Sequence, residues 1–132
     1  MNGWRRGSTL SALIVCFAAI VAYARCIDNY FVQDDFGVVW LLGQKPWSYF
    51  PRWFVSTWMD DIWGYTPDEI RPFPALTYQI AAALTPGSPV ADHAINIVLH
   101  AANGVLVLLL AHGVARLTLS AATMAALAFV VL

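Results

Sequence analysis

Charge is scarce in this sequence: Asp, Glu, Lys and Arg make up 11% of its 132 residues, while hydrophobic residues reach 60%. Soluble domains run nearer to about 25% charged, so an ordinary water-exposed fold is excluded as the first expectation and a membrane setting replaces it. Basic residues are too few for the positive field that holds duplex nucleic acid by its phosphates, since seven bases stand against eight acids. With two cysteines there is no disulfide framework. Cys16 and Cys26 are ten positions apart, about 15 Å along a helix, too far to pair within one. No proline occurs before Pro46 or after Pro89, so the flanking apolar stretches are free of helix breakers. Walker loops, Gly-x-Gly-x-x-Gly turns, Gly-x-Ser-x-Gly elbows and Cys-x-x-Cys pairs are all missing, which removes the usual nucleotide-fold and hydrolase chemistries.

The charges that are present are sorted. All eight acids lie between Asp28 and Asp92 with only Lys45, Arg52 and Arg71 among them, a net of −5, and the other arginines flank apolar runs. Residues 9–24 form an uncharged run behind Arg5 and Arg6 that reads as a first membrane span or as the core of a signal peptide. Residues 94–115 form a second run of about 22 residues, roughly 33 Å of helix against a hydrocarbon core of about 30 Å. Residues 117–132 start a third and stop without a polar flank, so the sequence is expected to end within a span. Arg5 and Arg6 predict a cytoplasmic N-terminus, and Arg116 puts the later turn on the same side. The expected organisation is therefore a cytoplasmic N-terminus and first transmembrane helix over 1–25, an extracytoplasmic loop over 26–92, a second transmembrane helix over 93–116 and a truncated third over 117–132. This is an all-α, multi-pass integral membrane protein with a large outer loop. Two short interfacial helices fit the loop: residues 47–63, rich in Trp, Tyr and Phe that favour the headgroup level, and residues 74–84.

Within the loop, Asp34-Asp35 is the first candidate for chemistry. Two adjacent carboxylates among apolar neighbours favour the protonated form, the condition for a useful general base or metal ligand. The plainer alternative is a solvated acidic turn or a helix cap. Asp60-Asp61 reads as a solvated helix face. Arg71 could grip a lipid phosphate or pair locally with Asp68 or Glu69. In the second span, Asp92, His93, Asn96, His100 and Asn103 fall within about 100° on a helical wheel. Such a polar stripe is expected to face other helices or a water-filled cavity. His93 and His100 are roughly 10.5 Å apart along the axis and cannot alone hold a zinc whose ligands sit about 2 Å from it.

The order of these features carries a resemblance. A first span, then Phe31-Val32-Gln33-Asp34-Asp35-Phe36, Asp61-Ile62-Trp63-Gly64, Arg71-Pro72-Phe73 and His93-x-x-Asn96-x-x-x-His100-x-x-Asn103 resembles the N-terminal part of GT-C fold glycosyltransferases. The likeness is to the protein O-mannosyltransferase-like group, TMTC-type proteins included, over residues 31–110. It implies a multispanning enzyme that moves a sugar, with inversion, from a polyprenyl-phosphate carrier to an acceptor protein or glycan on the outer face. By position Asp35, or Asp34, would be the general base, with Arg71 on the lipid-phosphate side and His93 with Asn96 lining the cavity. No cofactor follows beyond a divalent metal that the carboxylates could hold, and membrane lipids are the surrounding partner. Members of that group are much longer, so this chain would lack most of the donor site. Two other readings stand beside it: a small non-catalytic membrane subunit or assembly factor, and a secreted protein with a cleaved leader, in which the later apolar runs would be hard to accommodate in water.

Overall fold

The computed structural model describes residues 2–32, 35–57 and 70–132, with the side chains of residues 2–6 and of Asp35 left aside. Its elements are helix α1 (Asn2–Tyr23), a 3₁₀ segment (Ala24–Asp28), α2 (Asp35–Gln44), a second 3₁₀ segment (Trp47–Phe54), α3 (Pro72–Leu84), α4 (Val90–Gly113) and α5 (Leu119–Val131). No strand occurs among the described residues, in keeping with the all-α expectation. Two stretches, Gly7–Asp28 and Val90–Gly113, are long and apolar enough to cross a membrane, and α5 is a shorter apolar helix. Large apolar side chains such as Leu13, Phe17, Val98 and Leu106 remain exposed on them. A soluble monomer rarely carries so much uncovered apolar surface.

The chain divides into two compact units, one formed by Met1–Cys26 with Asn96–Leu132 and the other by Ile27–Ile95. In the first, α1, α5 and the greater part of α4 bury Val15, Ala19, Ala101, Leu108, Ala122, Ala126 and Val130 together. Ser11, Val15 and Ala19 recur every fourth residue on α1, as Ala122, Ala126 and Val130 do on α5, so each helix turns one stripe inward. The stripes are made largely of small residues, which lets backbones approach closely. Gly104 sits where the approach is tightest: a Cβ there would overlap Val130 Cγ1 and lie 2.8 Å from Val15 Cγ1.

A short turn joins α4 to α5. Val114 and Ala115 return N–H groups to the carbonyl of Leu110, and Leu117 to that of Ala111. Arg116 takes the left-handed conformation at φ 58°, a single non-glycine residue in the region that ends helices. The His112 ring donates Nδ1–H to the Leu117 carbonyl at 2.8 Å. Thr118 caps α5 by accepting from the Ala121 N–H at 3.3 Å.

The second unit departs from expectation in two places. α2 was not anticipated: its run Phe36-Gly37-Val38-Val39-Trp40-Leu41-Leu42 has no polar break to show a helical period. Asp35 is its first backbone position, and Pro46 follows its last turn. The helix expected over residues 47–63 is instead a 3₁₀ segment that ends at Phe54, with Pro51 inside it. Pro51 has no N–H to give and so breaks the i to i−4 ladder; residues 58–69, Asp60-Asp61 included, lie outside the described residues. α3 begins two positions before the expected 74–84 helix, with Pro72 at its first position, where a missing N–H costs nothing.

Val38, Leu42, Trp53 and Ala75 form this unit's core, with Tyr49, Phe50 and Tyr78 against it. α2 and α3 come close enough that a Cβ on Gly43 would stand 3.3 Å from Ala82 Cβ. Buried Gln79 of α3 donates Nε2–H to the Lys45 carbonyl at 2.7 Å, satisfying an acceptor at the end of α2.

Gly104→Ala is expected to destabilise the first unit by about 1–3 kcal/mol, because branched Val15 and Val130 have little rotamer freedom with which to yield. Val130→Ala in the same chain should recover part of the loss. Thermal unfolding of the three proteins in detergent checks this, and an unaltered midpoint for the single variant contradicts the contact.

Candidate functional site in the second unit

The segment that follows α1 carries the sequence's first acidic pair. Rings of Tyr30, Phe31 and Phe36 meet there, with centroids 5.7 Å apart for Tyr30–Phe31, 5.7 Å for Tyr30–Phe36 and 5.9 Å for Phe31–Phe36. Tilted and edge-on pairs at such spacings are favourable beyond the area they bury. Phe31 and Phe36 bracket Val32-Gln33-Asp34-Asp35 in the sequence. Asp34 and the side chain of Asp35 lie outside the described residues, and Asp35 contributes the first backbone position of α2.

The same rings form part of the wall of an open cleft of about 440 Å³, to which Val39, Trp40 and Gly43 of α2 and Ala82, Pro86 and Gly87 also contribute. Gly87, at φ 74°, makes the turn after α3 that shapes this wall. The lining is predominantly apolar and aromatic, and its volume falls within the range of small-molecule sites.

His93 joins the start of α4 to this region. Its Nε2–H donates to the Asn29 carbonyl at 3.1 Å, and Asn29 leads through the aromatic triad toward the acidic pair. Neighbouring Asp92 is buried. The expected polar stripe on α4 thus has different environments along its length. In the first unit, His100 donates Nε2–H to the Val130 carbonyl at 3.2 Å, with Tyr23 edge-on at 5.1 Å and Phe129 stacked at 5.3 Å. Asn96 and Asn103 are exposed.

Arg71 is exposed at the N-cap of α3. Pro72 and Pro74 remove two of the three N–H groups that a first helical turn would present, and the Ala75 N–H is already bonded to the Arg71 carbonyl at 3.1 Å. Charge at this end is therefore supplied mainly by the Arg71 side chain. The eleven positions from Arg71 to Ala82 amount to roughly 16 Å of helix rise, so Arg71 and the cleft occupy opposite ends of α3. Among the described residues no three His, Cys, Asp or Glu gather as a metal-binding group.

One cluster was not foreseen. Lys45 Nζ lies 4.7 Å from the centre of the Tyr49 ring, and the Arg52 guanidinium 5.2 Å from the same ring. The spacing of Lys45, Tyr49 and Arg52, four and then three residues, was the available signal.

Compared with curated proteins, the chain is similar to the protein O-mannosyl-transferase TMTC1 of Homo sapiens, 33% identical over 110 residues, covering 73% of this chain and 12% of that protein. The chain spans about an eighth of that relative's length. No family model and no solved structure matches. The likeness ties this region to a protein of transferase type, and the two long apolar helices accord with a membrane protein.

His93→Phe keeps a ring at the start of α4 but removes the donor to Asn29. A stability loss of about 1 kcal/mol is expected, with faster amide hydrogen exchange confined to residues 29–32. Unchanged exchange there would show that the bond does not hold the segment.

Proposed function

We propose that this chain is the N-terminal part of a membrane glycosyltransferase of the protein O-mannosyltransferase-like group, with a GT-C fold, which transfers a sugar from a polyprenyl-phosphate carrier to an acceptor protein or glycan outside the cytoplasm. The likeness to protein O-mannosyl-transferase TMTC1 carries this reading. In it, residues 1–25 hold a cytoplasmic N-terminus and first span, residues 26–92 form the outer loop, residues 93–116 return as a second span and residues 117–132 begin a third. Arg5, Arg6 and Arg116 support that orientation.

Asp35, with Asp34 beside it, is the general base. It takes the proton of the acceptor hydroxyl as that oxygen forms a bond to the anomeric carbon; the bond from carbon to phosphate oxygen breaks, and polyprenyl phosphate leaves with the electron pair. Attack from the face opposite the leaving group inverts the anomeric centre. The apolar cleft lined by Phe31 and Phe36, the rings on either side of the acidic pair in the sequence, supports the assignment, since apolar surroundings strengthen a base that must act near neutral pH. His93 positions the approach to the base through Asn29. Arg71 serves a carrier phosphate that approaches the start of α3, away from the cleft. Exposed Asn96 and Asn103 present polar groups to further helices or to a water-filled cavity.

The opening of α2 by Asp35 favours one alternative specifically: an acid at a helix N-terminus has a sufficient structural role, and the chain would then be a non-catalytic membrane subunit. The coding sequence beyond Leu132 separates the two, with further apolar spans expected for the transferase and an immediate stop for the subunit. In membranes carrying the complete reading frame, Asp34→Asn with Asp35→Asn should lower transfer from a polyprenyl-phosphate sugar by about 10²-fold or more. Transfer at the normal rate would remove the base from this mechanism.

A further inference from the structure

The Lys45–Tyr49–Arg52 cluster has no part in the chemistry above, yet it gathers two of the three basic residues that the sequence holds between Asp28 and Asp92. Both cations approach one ring, at 4.7 and 5.2 Å from its centre, although this stretch is otherwise acidic. Cation–π attraction offsets part of their repulsion, and the segment that carries them is stiffened by Pro46 and Pro51.

The same segment is two-sided. Trp53 is 1% exposed in the core with Val38, Leu42 and Ala75, whereas Trp47, Phe54 and, from α3, Phe73 are 56%, 47% and 66% exposed. Phe54 links this outer row, with ring centres 5.3 Å from Phe50 and 5.9 Å from Phe73. A positive pair beside uncovered aromatics matches the boundary of a bilayer, where phosphates lie above acyl chains and Trp, Lys and Arg are favoured. The unit is also joined covalently at both ends to stretches apolar enough to cross a bilayer.

We infer that Lys45 and Arg52, steadied by Tyr49, bind the phosphate of an anionic phospholipid headgroup, while Trp47, Phe54 and Phe73 enter the adjoining acyl region. This surface is separate from the proposed base and does not depend on glycosyl transfer. Charge complementarity selects the occupant, because a zwitterionic headgroup offsets its phosphate with its own cation.

The test uses the full chain extracted from vesicles of equal parts phosphatidylglycerol and phosphatidylcholine, with retained lipids counted by native mass spectrometry. The expected result is enrichment of phosphatidylglycerol that falls about tenfold in Lys45→Gln with Arg52→Gln, survives in the charge-conserving exchange Lys45→Arg with Arg52→Lys, and resists a wash with millimolar inorganic phosphate. Equal retention of both lipids by the unaltered chain overturns the inference whether or not the variants fold. So does undiminished enrichment in the neutral pair, or displacement by inorganic phosphate, which would make this a simple anion site. None of these readouts involves sugar transfer, so they leave the catalytic reading untouched.

Discussion

Helices surrounded by hydrocarbon gain little by hiding apolar side chains from a medium as oily as themselves, so their association depends on how closely they fit. Gly104 is a point of close fit in the first unit, two of whose helices are long and apolar enough to cross a membrane. With no side chain of its own, it admits Val15 from α1 and Val130 from α5 to the same point on α4, and the alanines at 19, 101, 122 and 126 extend the contact along the three helices. Larger side chains on this seam would separate the helices and forfeit the many weak dispersion contacts that hold them. The partners of His100 belong to the same seam: the Val130 carbonyl, Tyr23 and Phe129 can meet it because the backbones already lie close.

The second unit obeys another rule. Its core turns on large residues, Trp53 and Leu42 above all, and its short helices are finished by polar contacts made across elements. Gln79 reaches the Lys45 carbonyl beyond α2, and His93 reaches the Asn29 carbonyl. Each settles a backbone acceptor that a short helix or a loop would leave open. The cleft borders helices fixed in this way, so its aromatic wall is built on ordered structure.

The long apolar helices were legible because length and uninterrupted apolarity suffice to mark them, and the polar stripe on α4 because a period of 3.6 is visible in one helix. α2 was hidden by its own uniformity: between Phe36 and Leu42 no polar residue interrupts the run to reveal which face is buried. The aromatic richness of residues 47–63 suggested a helix, but the outcome was decided by Pro51, whose missing N–H turns the start of that stretch into a 3₁₀ segment ending at Phe54. At the candidate site, single positions could be nominated from type and order, whereas the partners of His93 and the position of Arg71 far from the cleft required the path of the chain. Lys45, Tyr49 and Arg52 had the right spacing, but spacing alone does not show that two cations meet one ring; that too required the path of the chain.

The tight turn between α4 and α5 also bears on the order of assembly. Gly104 and Val130 stand on helices joined by a short turn held by His112 and Thr118, whereas Val15 is separated from the glycine it meets by about two thirds of the chain. Closing the short connection costs less conformational entropy than closing the long one. The α4–α5 hairpin is thus the natural seed of the first unit, and α1, although synthesised first, completes it last. The second unit is a single uninterrupted stretch, Ile27–Ile95, so it can reach its own fold while α1 awaits its partners.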